Sequence, residues 1–247
     1  MHPLILTLTL LHLLPSTLAS YAPPPAASLT GYSYGKMFYL GPIPNHNYIT
    51  RATYSLHVPP TPTRYRTDRR VWLALWIGLQ YAGQDIMNED FVQPLLNWAV
   101  NQEATGCPAP VTNWCAAAST YTPAVQVQQP YVPIPAGKTL DFEDGTEPPT
   151  VTLAPNKFIH QYIRMDGRVI SQQLTFFYSG TECFDYGCGT VAAHRWYNIT
   201  LVLNAPTAGL DRVLTLSGAR CSGLQTPDGG KTWKIASIDI EGQDLSR

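Results

Sequence analysis

VWLALWIGLQYAGQDIMNEDFVQPLLNWAV, residues 71–100, is the stretch on which the fold reading turns. Two apolar flanks enclose a polar loop containing Gly83, Gln84, Asp85, Asn88, Glu89 and Asp90. Strand side chains alternate between faces. In the first flank Val71, Leu73, Leu75, Ile77 and Leu79 therefore point one way, and Trp72, Ala74, Trp76, Gly78 and Gln80 the other. Both sets are largely apolar, which predicts an interior strand covered by two layers. The second flank has a helical alternative, because Asn88 can cap and Glu89 and Asp90 suit a first turn. Pro94 would then lie inside the helix, at a cost of about 3 kcal/mol. The strand reading is preferred, with Pro94 at an edge or bulge. It sets Val92, Leu96, Trp98 and Val100 on one face and Gln93 and Asn97 on the other. A polar pair on an apolar strand is where a site is expected.

Outward from this centre, residues 1–19 read as a signal peptide: an apolar Leu/Thr-rich run over 4–14, then Thr17, Leu18 and Ala19. The run is too short to span a bilayer, which takes about 20 residues. Residues 20–50, rich in Pro and Tyr, are expected to form an extended arm, and 51–247 a single β-sandwich domain. The protein is expected to be secreted and extracellular. Twenty-two Pro, eighteen Gly and fourteen Tyr with only 13% charged residues argue against a helical bundle. A net charge of −1 offers no footprint for nucleic acid or an anionic membrane. The basic cluster Arg64, Arg66, Arg69 and Arg70, broken by Asp68, reads as a solvated loop.

Five cysteines are present. Cys107 and Cys115 bracket one short loop, Cys183 and Cys188 another, and in an oxidising compartment both pairs suit local disulfides. Cys221 is left over. Zinc is the rival reading, but no second half-site follows Cys183 and Cys188, so neither a metal nor another cofactor is expected.

Turn signals separate roughly ten short strands, without a convincing helix or repeat, as in a sandwich or jelly roll. The clearest hairpin runs over 158–178 around Met165, Asp166 and Gly167. The acidic run 141–149 reads as a solvated loop. Asn198-Ile199-Thr200 is a glycosylation sequon, which places Asn198 toward solvent. Alternation then puts Trp196 and His194 on the same, partly outer face, although a packed His194 is the simpler reading. Residues 226–233 (TPDGGKTW) match the Asp-box hairpin: Asp228 accepts backbone N–H bonds across the turn and Trp233 packs beneath. The run 237–241 (SIDIE) is similar to the carboxylate strand of laminarinase-like glycoside hydrolases, but Ser237 stands at the nucleophile position. Its plain reading is Ile238 and Ile240 inward and polar residues outward.

With Trp76-Ile77-Gly78 followed by Val92-Gln93, the chain resembles fungal secreted proteins of the concanavalin A-like lectin/glucanase superfamily. More narrowly, it resembles the glutamic peptidases, or eqolisins. The resemblance implies an all-β, concanavalin A-like jelly-roll β-sandwich with its site on a concave face. It also implies a Gln–Glu pair that activates water for peptide hydrolysis. Gln93 matches the Gln. The Glu belongs on a later strand, and 190–203 has none, so Glu182, in the loop before Cys183, is the candidate. A second resemblance, to jelly-roll polysaccharide lyases, rests on His160, Gln161, Tyr162 and Arg164.

Two function classes follow. A binding module for extracellular polysaccharide would stack sugars on Trp72, Trp76 and Trp98, with Asn97 and Gln93 supplying hydrogen bonds. A hydrolase or lyase acting on polysaccharide or protein would use Gln93 and Glu182 on the same face. Either is expected to act as a monomer, with no cofactor. A carboxylate or histidine in reach of Gln93, with Glu182, Glu89 and His194 as candidates, separates the two classes.

Overall fold

Residues 72–80 are the interior strand that the alternation predicts, hydrogen-bonded on both sides in the computed structural model, which describes residues 31–81, 90–121, 126–145, 150–153 and 173–247. In chain order the strands begin β1 (Tyr32–Tyr34), β2 (Met37–Leu40), β3 (Ile49–His57), β4 (Trp72–Gln80), β5 (Phe91–Val92), β6 (Leu95–Ala99) and β7 (Asn113–Ala117). They continue as β8 (Ser119–Tyr121), β9 (Gln126–Gln128), β10 (Val132–Pro135), β11 (Thr139–Gly145), β12 (Thr150–Leu153) and β13 (Phe176–Phe184). The last are β14 (Gly189–Val191), β15 (His194–Leu203), β16 (Leu214–Ser217), β17 (Ala219–Cys221), β18 (Leu224–Gln225), β19 (Thr232–Ile240) and β20 (Gln243–Leu245).

Sheet A runs β10-β7-β6-β4-β13-β2-β16, with β1 on β13 and β5, β8 and β9 extending one corner. Sheet B runs β12-β11-β3-β15-β19-β17, with β18 on β19. Every pairing is antiparallel. The inner faces meet in one apolar layer built by period-two alternation, with Leu73, Leu75, Ile77 and Leu79 from β4 packed toward Leu56, Leu201 and Ile235 of sheet B. Across the layer Tyr54 of β3 lies 5.7 Å from Phe177 of β13. The all-β sandwich expectation holds.

Pro94 falls between β5 and β6, where the ladder needs no donor from it. Both disulfides form, Cys107–Cys115 and Cys183–Cys188, as an oxidising environment favours. Among the described cysteines only Cys221 is free. No described helix is long and apolar enough to cross a membrane. The Asp-box turn is built as expected: Asp228 accepts from the Thr232 amide at 2.8 Å, and the buried Trp233 donates to the Gly230 carbonyl. Ile238 and Ile240 point inward, while Asp239 and Glu241 take ion pairs with Arg195 and Lys36, so 237–241 is an ordinary half-buried strand.

Three expectations are corrected. The arm expected over 20–50 enters the sandwich: from Tyr32 the chain is paired into sheet A through β1 and β2. The acidic run expected as a loop is strand as far as Gly145, and Asp144 takes a core position after Leu140 and Phe142. On β15 the alternation breaks. Asn198 sits at a bulge with φ 53°, outside the register that joins Tyr197 to Ser55 and Thr200 to Thr53. One extra residue resets the faces, so Asn198 is exposed while Trp196 and His194 are buried. The signal segment 1–19, loop residues 83–89, the hairpin turn 165–167, and His160, Gln161, Tyr162 and Arg164 lie outside the described residues.

Candidate functional site

The outer face of sheet A carries the residues the sequence points to, and cross-strand register fixes their rows. One row reads Asn97, Ala74, Glu182, Tyr34, on β6, β4, β13 and β1. The next row toward the β4 N-terminus is Ala99, Trp72, Phe184, Tyr32. In the other direction Leu95, Trp76 and Gly180 form a row, followed by Gly78 and Tyr178. Gln93 continues the register that pairs Val92 with Leu79 and Leu95 with Trp76, which sets it beside Gly78.

Glu182 is therefore a strand residue, not part of the loop before Cys183. Its carboxylate accepts a hydrogen bond from Trp76 Nε1 at 2.9 Å. The indole reaches it because Gly180 has no side chain: a Cβ there would collide with the Trp76 ring. The side chain keeps a little solvent exposure. Burial raises its pKa above the ordinary carboxylate value, and the Trp76 bond opposes that rise. Tyr34, 51% exposed, is directly opposite on the edge strand. Its phenol is raised to about 12, first by desolvation, then by the charges of Glu182 and Tyr32. It stays a donor throughout the physiological range.

Two aromatic groups flank this carboxyl. On one side Trp72, Phe184 and Tyr32 form a partly buried step, with Trp72 and Phe184 stacked at 5.7 Å and Tyr32 tilted against Phe184 at 5.1 Å. On the other side Trp76 meets Phe91 and Tyr178 edge-on at 5.3 and 5.2 Å, and Phe91 stacks on Tyr178. The first group has ring surface to offer a ligand. Trp76 and Phe91, 6% and 7% exposed, have little. Trp76 is the wall that holds the carboxyl.

Asn97 lies in the Glu182 row, its amide donating to the Tyr131 hydroxyl while its buried Oδ1 has no partner. Trp98 does not belong to the site. It pairs with Leu73, is fully buried between the sheets, and donates to the Val111 carbonyl. Its parity opposes that of Asn97, so it cannot stack on a ligand here.

Gln93 and Glu182 share the face but are not neighbours. The rows of Gly78 and Ala74 are four residues apart along β4, about 13 Å at roughly 3.3 Å per residue. Across Gly78 from Gln93 stands Tyr178, whose hydroxyl donates to Gln80. The Phe91 ring covers Gly78, 2.6 Å from where a Cβ would sit. No described carboxylate or histidine shares the Gln93 row. His194 lies on the inner side of sheet B, its pKa lowered to about 4 by burial. Glu89 lies outside the described residues. No three described His, Cys, Asp or Glu side chains gather where a metal ion could sit.

Tyr32, Tyr34 and Phe184 were not legible as site residues. The first two lie on a three-residue strand too short to show alternation. With Glu182 assigned to a loop, Phe184 had no parity to share with it.

Fold and face together define an all-β sandwich whose outer sheet surface holds one desolvated carboxyl among aromatic rings. No family model matches the chain, and no curated protein matches it. Among solved structures it is similar to SCP-B, a member of the Eqolisin family of peptidases determined in complex with the tripeptide Ala-Ile-His. The identity is 11% and the TM-score 0.40, over 83% of this chain and 97% of that one.

Proposed function

We propose that this is a secreted protein whose sheet A outer face binds extracellular polysaccharide. One observation carries the reading: the partly exposed step of Trp72, Phe184 and Tyr32 abuts the Glu182 row. Pyranose rings present apolar C–H faces that stack on aromatic rings, and hydroxyl edges that need polar partners. Glu182, Tyr34 and Asn97 supply an acceptor, a donor and an amide in the row beside the step. Gln93 extends the polar edge beyond Trp76. The Asn198 sequon, exposed on the opposite sheet, fits a secreted glycoprotein whose glycan stays clear of this face.

The second reading is a hydrolase acting on protein or polysaccharide through Glu182. It is favoured by the raised carboxyl in a partly open site, a feature of groups that move protons. Gln93, the partner the resemblance implies, stands two rows away from it.

The test combines retention on insoluble glycans with release of peptide or sugar from denatured protein and soluble glycans, at acid and neutral pH. Retention without turnover, weakened about tenfold to a hundredfold in folded Trp72→Ala, is the expected result. Turnover abolished by Glu182→Gln would replace the binding reading with the hydrolase one. Neither retention nor turnover would overturn both.

A further inference from the structure

Inside the sandwich, far in character from the outer face, lies a carboxyl that the proposed function does not use. Asp144 on β11 occupies a core position, 1% exposed, in line with Leu140 and Phe142. Its Oδ2 is 2.5 Å from the hydroxyl of Tyr54, a fully buried residue of β3. The same hydroxyl lies 3.4 Å from the carbonyl of Ile77 on β4, in the other sheet. Asp144 Oδ1 is buried and has no partner.

Counting hydrogens decides the protonation state that this arrangement favours. Tyr54 has one hydroxyl proton and faces two acceptors. If Asp144 is ionised, the carboxylate claims that proton, the Ile77 contact is lost, and a charge stands in an apolar layer with one oxygen unsatisfied. If Asp144 is neutral, its own O–H donates to Tyr54 and Tyr54 donates to Ile77. The chain then runs from β11 through β3 to β4, joining the two sheets with every proton used. Burying an unpaired charge is far costlier than burying the acid.

We propose that Asp144 is carried as the neutral acid in the native protein and acts as a proton-dependent fastening between the two sheets. Among the described residues, the groups that bear on it are Tyr54, the Ile77 carbonyl and Glu143. Glu143 faces outward, paired to Arg51 at 2.7 Å. Burial raises the Asp144 pKa well above the ordinary value, the Tyr54 bond opposes the rise, and the Glu143 charge adds to it.

The sign follows. A folded-state pKa raised above the unfolded value of about 3.9 gives stability that is present below about pH 4 and lost as pH rises toward the folded value. The fastening therefore suits an acidic medium. It sits behind Ile77, between Trp76 and Gly78 of the binding face.

The test is reversible unfolding of wild type and Asp144→Asn across about pH 4 to 8. The expected result is that, relative to Asp144→Asn, the wild-type folded-to-unfolded ratio falls by about tenfold or more as pH rises over that range. The same pH dependence in both proteins overturns the proposal. Should Asp144→Asn not fold, infrared difference spectra of Glu182→Gln, which lacks the other raised carboxyl, decide instead. A protonated carboxyl band persisting at neutral pH supports the proposal, and its absence overturns it.

Discussion

The two outer faces of the sandwich are made from similar strands and do opposite things with their polar residues. Sheet B neutralises its charges locally. Arg51 meets Glu143, Arg195 meets Asp239, and the Ser55 hydroxyl donates to Asp141. Among the described residues, sheet A sets the Glu182 carboxyl among rings, with an indole N–H and no cation paired to it. A surface that only needs to be wet pairs its charges and gains little from doing so. One that leaves a carboxyl desolvated beside partly exposed rings keeps hydrogen-bonding capacity for something else.

The strongest way to break this contrast is Trp76→Ala. It removes a buried indole, 6% exposed, together with the donor to Glu182. We expect a loss of about 3–5 kcal/mol in denaturant unfolding, with glycan retention lost as well. Sheet B has its own weak point on its inner side. His194 is buried with its pKa lowered to about 4, against about 6.5 when unfolded. Its contribution is complete above about pH 6.5 and is lost as pH falls through that window. In thermal scans from about pH 7 down to 4, wild type should therefore lose about 2–3 kcal/mol relative to His194→Gln. This runs opposite to the Asp144 effect, and the two variants separate them.

A milder change sharpens the contrast instead. Glu182→Gln keeps an acceptor for Trp76 and removes the ionisation. Because the folded carboxyl is raised, the variant should match wild type in acid and exceed its stability as pH rises, measured as a widening gap in unfolding midpoint. The smallest effect belongs to sheet B's surface. Arg195→Ala should leave the unfolding midpoint almost unchanged and glycan retention intact. If retention falls as much there as in Trp72→Ala, the distinction between the faces fails.

Much of the fold could be read because β4 spells its role in consecutive letters. Two apolar sets in strict alternation leave few placements other than the middle of a sheet, and Pro94 excludes a helix beyond it. The local disulfides and the Asp-box turn are likewise properties of short segments. What could not be read depended on distant partners or on register. Asp144 sits in an acidic run, and only its pairing with Tyr54 explains its burial. Asn198 looks like any outward residue until a bulge shifts the faces beside it, which reverses Trp196 and His194. Trp98 differs from Trp72 and Trp76 in parity alone. The candidate site was half legible for the same reason. Trp72, Trp76, Asn97 and Gln93 follow from alternation, whereas Tyr32, Tyr34 and the placement of Glu182 follow from strands that meet only in the folded chain.

The bond between Cys183 and Cys188 gives the outer face a history. It closes immediately beyond Glu182, spans Phe184, and brings Cys188 Sγ within 3.3 Å of the Trp72 carbonyl. The two halves of the aromatic step are thus clipped together by sulfur chemistry that a reducing cytosol withholds. With its cysteines reduced, the chain has the rings but not the clasp. Order in the aromatic step is thus tied to the oxidation state of two cysteines outside it.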